Sequence, residues 1–285
     1  MTPTSDWLTD AVDVHVHTAP AMVEREQDDV ALARDALEAG MAGIVVKSHV
    51  VPTVGRVDAV NSVLGERILS GGITLNGSVG GLNPEAVETA LELGATFVWL
   101  PTTWARNHAS RAREAGETTF VGQRVPTSSE ELTVLDGEGL LGPVRRIVEL
   151  VGEYDAVLAT GHIAPNEIEA VVGACADADV RCLVNHPFFR VTDLSVDRQV
   201  ALAERGAVME YCAYAVESTP GHTVSDVAAA VDRLGPDRCV LATDYGQIGN
   251  PAVPGLAEFA DAVVEAGASE AAVRTCVTRT AADLL

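Results

Sequence analysis

The chain has 285 residues, 47% of them hydrophobic, and a formal charge of −22 at pH 7. That length suits one α/β barrel forming a single domain over 1–285, and the acidity excludes nucleic acid and anionic membranes as partners, because the long-range field repels phosphate. Residues 1–10 lack the basic-then-apolar pattern of a leader and no run approaches the roughly 18 apolar residues of a membrane span, so the expected setting is cytoplasmic and the expected partner a small-molecule substrate. The five cysteines are odd in number and widely spaced, as reduced core thiols are. One lysine among 19 basic residues, set beside the acidity, suggests a high-salt habitat, although a GC-rich genome gives the same bias. A homo-oligomer is left open.

Short β-branched or apolar runs alternate with Ala-rich, helix-prone segments. In chain order they predict strands over 11–17, 43–48, 68–76, 96–101, 156–160, 181–185, 207–211 and 238–243. Helices are predicted over 28–39, 54–64, 84–93, 143–152, 165–177, 196–205, 224–234 and 255–266. Asn83 before Pro84 supplies an N-cap and a first-turn proline, and Gly40, Gly94, Gly206 and Gly267 stand where helix C-caps are wanted. Eight strand–helix pairs make a closed (β/α)8 TIM barrel. A last helix over 269–284 is expected on its outside. The long connection 102–142 is expected to cap the mouth as a lid, with 120–125 and 132–135 paired as a small β-ribbon turned by Pro126, Ser128 and Ser129.

Polar residues that close apolar barrel strands point to a common mouth. His15 and His17 close the first strand, two apart and so on one face. His162 follows the fifth strand, His186 ends the sixth and Asp244 ends the eighth. A lone histidine at a strand end is usually packing, but this set of imidazoles and a carboxylate at one end of one barrel reads as a divalent-metal site. Zinc is the first choice, with manganese, iron, nickel or cobalt as alternatives, and one or two ions fit.

In this order the five residues resemble the amidohydrolase superfamily of metal-dependent hydrolases, which carries His-x-His on strand one, His after strands five and six, and Asp after strand eight. The motifs Asp13-Val14-His15-Val16-His17, Lys47-Ser48-His49, Gly80-Gly81-Leu82-Asn83-Pro84, Thr160-Gly161-His162 and Asp244-Tyr245-Gly246-Gln247 further resemble the family of unknown function numbered 6282. The resemblance implies an enzyme that hydrolyses a carbonyl compound, such as a cyclic amide, imide or lactone, with hydroxide held on the metal. Asp244 would be the general base and acid. The chain departs from the commonest superfamily pattern at strand four, which ends Trp99-Leu100-Pro101-Thr102 without the lysine that bridges two metals once carboxylated.

The only lysine, Lys47, closes strand two with His49 two residues on. Three roles remain open for Lys47: a carbamate bridge and metal ligand, a cation that holds a substrate carboxylate or polarises a carbonyl, and a Schiff base or structural role. His49 is a ligand, a general acid or a hydrogen-bonding neighbour. Arg106, His108, Tyr245 and Gln247 lie near strand ends and are candidate substrate contacts. The rival activities are a metal-dependent non-oxidative decarboxylase, a phosphoesterase, a Schiff-base lyase and a metal-binding barrel without chemistry.

Overall fold

The structure is a computed structural model and describes residues 7–118, 130–137 and 139–285. In chain order it runs β1 (Val12–His17), α1 (Asp29–Glu38), β2 (Gly43–Lys47), α2 (Val54–Leu64), β3 (Leu69–Thr74), α3 (Pro84–Glu92), β4 (Phe97–Trp99) and α4 (Arg106–Glu114). A short hairpin, β5 (Leu135–Asp136) and β6 (Gly139–Leu140), leads to α5 (Gly142–Glu153), β7 (Val157–Ala159), α6 (Pro165–Asp177), β8 (Arg181–Asn185) and α7 (Val196–Glu204). The chain closes with β9 (Val208–Cys212), α8 (Ala213–Glu217), α9 (Val224–Leu234), β10 (Cys239–Ala242), α10 (Ala252–Glu265), α11 (Glu270–Val277) and α12 (Arg279–Ala282).

Eight parallel strands, in the order β1-β2-β3-β4-β7-β8-β9-β10, make one sheet among the described residues. Its ends meet: Val16 bridges Tyr245, Asp244 N–H donates to His15 O at 2.9 Å and His17 N–H to Tyr245 O at 2.8 Å. With helices between its strands this is the expected (β/α)8 TIM barrel. Strand side chains alternate between two cores. Val45, Trp99, Ala159, Leu183 and Ala242 face the barrel interior, whereas Ile44, Val46, Val98 and Leu158 pack outward with the helices. The N-cap at Asn83 forms as expected, its side chain accepting from Glu85 and Ala86 N–H groups beside Pro84.

Three differences from the sequence reading matter. The connection after β4 carries α4, and Leu132 bridges Ala105 while Leu135 pairs with Leu140 in the short hairpin. The 120–125 arm of the expected ribbon, with Pro126, Ser128 and Ser129, lies outside the described residues. The last helix breaks at Thr278, where ψ is −87°, into α11 and α12. Beyond that break Ala281 and Leu284 join the inner core instead of packing outside, so the C-terminal turn plugs the barrel at the start of β2, where Leu285 meets Gly43. No helix among the described residues is long and apolar enough to cross a membrane.

Candidate metal centre

A β-bulge shapes the first strand. The β1–β2 register slips between Asp13 and Val16, so Val12 and Val14 fill the inner core below while His15 and His17 both line the cavity above. Each imidazole is fixed through Nδ1. His15 Nδ1 donates to Glu210 Oε2 at 3.2 Å and His17 Nδ1 to Lys47 O at 3.0 Å. A neutral imidazole that donates from Nδ1 presents the lone pair of Nε2, and here both Nε2 atoms lie on Asp244 Oδ1, at 3.2 and 3.0 Å.

Lys47 is 1% exposed, with Nζ 3.1 Å from His15 Nε2 and 5.5 Å above the Trp99 ring, which fills the strand-four position. His49 stacks on His17 at 4.8 Å between ring centroids, and its Nδ1 is held by Thr102 Oγ1 at 2.9 Å. Asn76 braces that pair, donating to His49 O at 2.9 Å and Thr102 Oγ1 at 2.7 Å.

His162 is delivered by a turn that only glycine allows. Gly161 has φ +59°, and a Cβ there would sit 2.4 Å from Leu100 O and 2.7 Å from Pro101 O. The His162 ring packs 4.9 Å from His186, and its Nδ1 pairs with His108 Nδ1 at 2.7 Å. His186 and Asp244 hold left-handed φ values of 31° and 53°, strain of the kind that collects at functional sites. Gly246 permits the closest approach, because a Cβ there would lie 1.7 Å from His17 O.

These residues fit a divalent cation. One ligand atom each from His15, His17 and Asp244 lies within 4.8 Å of the others, and His186 Nδ1 is buried without a hydrogen-bond partner. The electrostatics agree, since metal-binding histidines must be neutral and carboxylates ionised. Burial pushes His17 down to about 3 and His186 to about 4, and holds His49 and His162 well below the usual range. Burial alone would raise Asp244, and positive charge beside it, on an imidazole or a bound cation, favours its ionised form. Burial also lowers the Lys47 pKa.

The sequence candidates divide cleanly. His15, His17, Lys47, His49, His162 and Asp244 line a cavity of about 240 Å³, with His186 packed behind His162. Of the expected substrate contacts, Gln247 lines it, whereas His108 is buried behind His162. Arg106 is exposed at the start of α4, and the Tyr245 hydroxyl turns to Glu217 at 2.6 Å. Sequence reading missed two residues. Glu210 is fully buried on β9, and although burial opposes its charge, His15 keeps its pKa low; its signal was a carboxylate inside an apolar strand. Arg25 lines the cavity from the loop after β1, where a charged, polar segment gave no signal.

Among solved structures, the barrel is similar to an amidohydrolase from Pseudomonas aeruginosa at 13% identity and TM-score 0.64, covering 100% of this chain and 98% of that one. It is also similar to a probable 2-pyrone-4,6-dicarboxylic acid hydrolase from Acinetobacter baumannii, at 8% identity and TM-score 0.61 over 97% of this chain and 99% of that one. A 2,6-dihydroxybenzoate decarboxylase from Rhizobium matches at 11% identity and TM-score 0.53, over 97% and 98%. At such identities the shared property is the fold. Comparison with curated proteins returns no match. A family model matches residues 10–210, a span that holds His15, His17, Lys47, His49, His162, His186 and Glu210 and stops before Asp244. By that match the chain belongs to the Family of unknown function (DUF6282).

Proposed function

We propose that this barrel is a metal-dependent hydrolase of a small cyclic amide, imide or lactone. The observation that carries the reading is the pinned orientation of the β1 histidines, whose Nδ1 atoms are taken by Glu210 and Lys47 O while both Nε2 atoms converge on Asp244. His15, His17, His162, His186 and Asp244 would hold the ion, zinc by preference. Bound there, a divalent ion polarises a carbonyl and lowers the pKa of water.

The chain's own groups supply the rest. Asp244 stays ionised beside His15 and His17, ready to accept a proton and return it to the departing nitrogen or oxygen. Lys47, whose Nζ faces the cavity from a buried stem, stabilises negative charge as it develops on the substrate carbonyl oxygen. Phe189 gives the cavity an apolar wall that keeps bulk water from the reacting bond.

Metal analysis of purified protein tests the assignment. His15→Ala and His17→Ala should lose bound metal, whereas Asp244→Asn should retain most of it and lose turnover. Labelled oxygen from water should appear in the ring-opened product. Carbon dioxide release without label would replace hydrolysis with decarboxylation, and a fully active Asp244→Asn enzyme would remove Asp244 from the reaction.

A further inference from the structure

We infer that the substrate carries a carboxylate and that Arg25 binds it. The inference deepens the hydrolase reading and rests on it for the ring that is opened. Arg25 lines the cavity with Asp244, Lys47, Phe189 and Tyr214. Among the described residues its guanidinium makes no ion pair within 4 Å, unlike the other arginines with a buried Nε, Arg56, Arg181 and Arg190. Acidic residues outnumber basic ones 41 to 19 in this chain, so an inward-facing arginine that feels Asp244 but forms no ion pair with it is out of character. Arg56 nearby shows the ordinary case, since it is engaged by Asp29, Thr18 and the Pro20 carbonyl. A guanidinium presents a planar fork of donors that matches a carboxylate, and the half-buried Arg25 offers that fork to the cavity.

The loop is built to hold that fork still. Ala19 N–H donates to Gln27 O at 2.8 Å, and Ala19 bridges Asp28, closing the loop on itself. Glu26, next to Arg25, donates its N–H to Gly246 O at 3.0 Å and accepts from Gly249 N–H at 2.7 Å, which ties the loop to the segment that carries Asp244. Across the cavity the Tyr214 hydroxyl, at the start of α8, has no hydrogen-bond partner among the described residues and offers a second donor. Arg25 interacts electrostatically with Asp244 and, less strongly, with Tyr214. Glu24 and Asp244 also border the space, which favours a single carboxylate over a doubly charged phosphate. A volume of about 240 Å³ suits a small ring bearing its acid.

Calorimetric titration with five- and six-membered lactones, lactams and imides, each as the carboxylic acid and as its carboxamide, tests the assignment on the purified protein. At least one acid should bind tenfold or more tightly than its carboxamide. Arg25→Met should erase that preference without changing carboxamide affinity, and Arg25→Lys should restore part of it. Equal binding of every acid and carboxamide overturns the inference, as does a preference that survives in Arg25→Met, which would assign the acid to the metal or to Lys47. Ring opening of the same compounds, followed by chromatography of the products, is scored separately. Acid preference without ring opening would uphold the Arg25 site and reject hydrolysis, and ring opening without acid preference would do the reverse.

Discussion

Replacing Glu210 with glutamine separates charge from shape at the centre of this site. Glu210 Oε2 accepts from His15 Nδ1 at 3.2 Å and from Asn185 Nδ2 at 2.7 Å, while Oε1 is buried without a partner. The glutamine oxygen can take the place of Oε2 and keep both bonds, so the imidazole stays oriented while losing its anionic partner. Carboxylates that hold a ligating imidazole contribute about 10- to 100-fold to metal affinity, so Glu210→Gln should weaken zinc by about 1.4–2.7 kcal/mol. Glu210→Ala should do more. It leaves the Asn185 amide and the His15 N–H unsatisfied in a fully buried place, at about 1–3 kcal/mol each, and stability itself should fall. Zinc competition against a chromogenic chelator measures the first effect and urea unfolding of the metal-free protein the second. Unchanged zinc affinity in Glu210→Gln would refute the idea that this carboxylate prepares His15 as a ligand.

Gly161→Ala should lower both stability and metal content, because the new methyl meets the Leu100 and Pro101 carbonyl oxygens and the φ of +59° penalises any side chain; inductively coupled plasma analysis beside a thermal melt reads both, and a metal-replete variant would contradict it. The metal-free protein should lose stability on acidification from pH 7.5 to 5. Burial lowers His17, His108 and His186 from 6.5 to about 3, 4 and 4, so below pH 6.5 the unfolded chain takes up protons that the folded chain refuses, at about 2 kcal/mol per group by pH 5. Asp13, raised by burial from 3.8 to about 7, works oppositely: it keeps its proton when folded and returns about 3 kcal/mol as pH falls through 7. These four groups together lose about 3 kcal/mol, and His49 and His162, also held low by burial, add to the loss in the same direction. The urea midpoint should therefore fall by at least about 1 M, and a midpoint that rises toward pH 5 would reverse the argument.

The barrel was legible because each strand alternates a packed outer residue with an inner one, and because glycine and proline punctuate the helices between. The five candidate ligand positions could be named from the same pattern, since four imidazoles and a carboxylate all close apolar strands at the same end of one barrel. What stayed hidden depends on contacts between segments distant in sequence. The slip in β1 leaves no compositional trace, because Val12, Val14 and Val16 look alike until β2 sets the register. Thr278 breaks a helix whose apolar periodicity continues, and only the inner core explains why Leu284 turns inward. Glu210 read as one charge in a strand until His15 and Asn185 closed on it, and Arg25 lay in a loop whose path is fixed by Gly246 and Gly249.

The seam between β1 and β10 joins the beginning of the chain to its end. Asp13 accepts from the Thr243 hydroxyl at 2.6 Å across 230 residues of sequence, one step from where His15 and Asp244 face each other. The proposed ligands on both sides of such a seam would not exist as a set until the last strand had docked. An ion bound there would act as a clasp on a finished ring, rewarding only the completed chain. Assembly order and metal capture would thereby be coupled, and a chain truncated before β10 would be left with its histidines but without the hand that closes them.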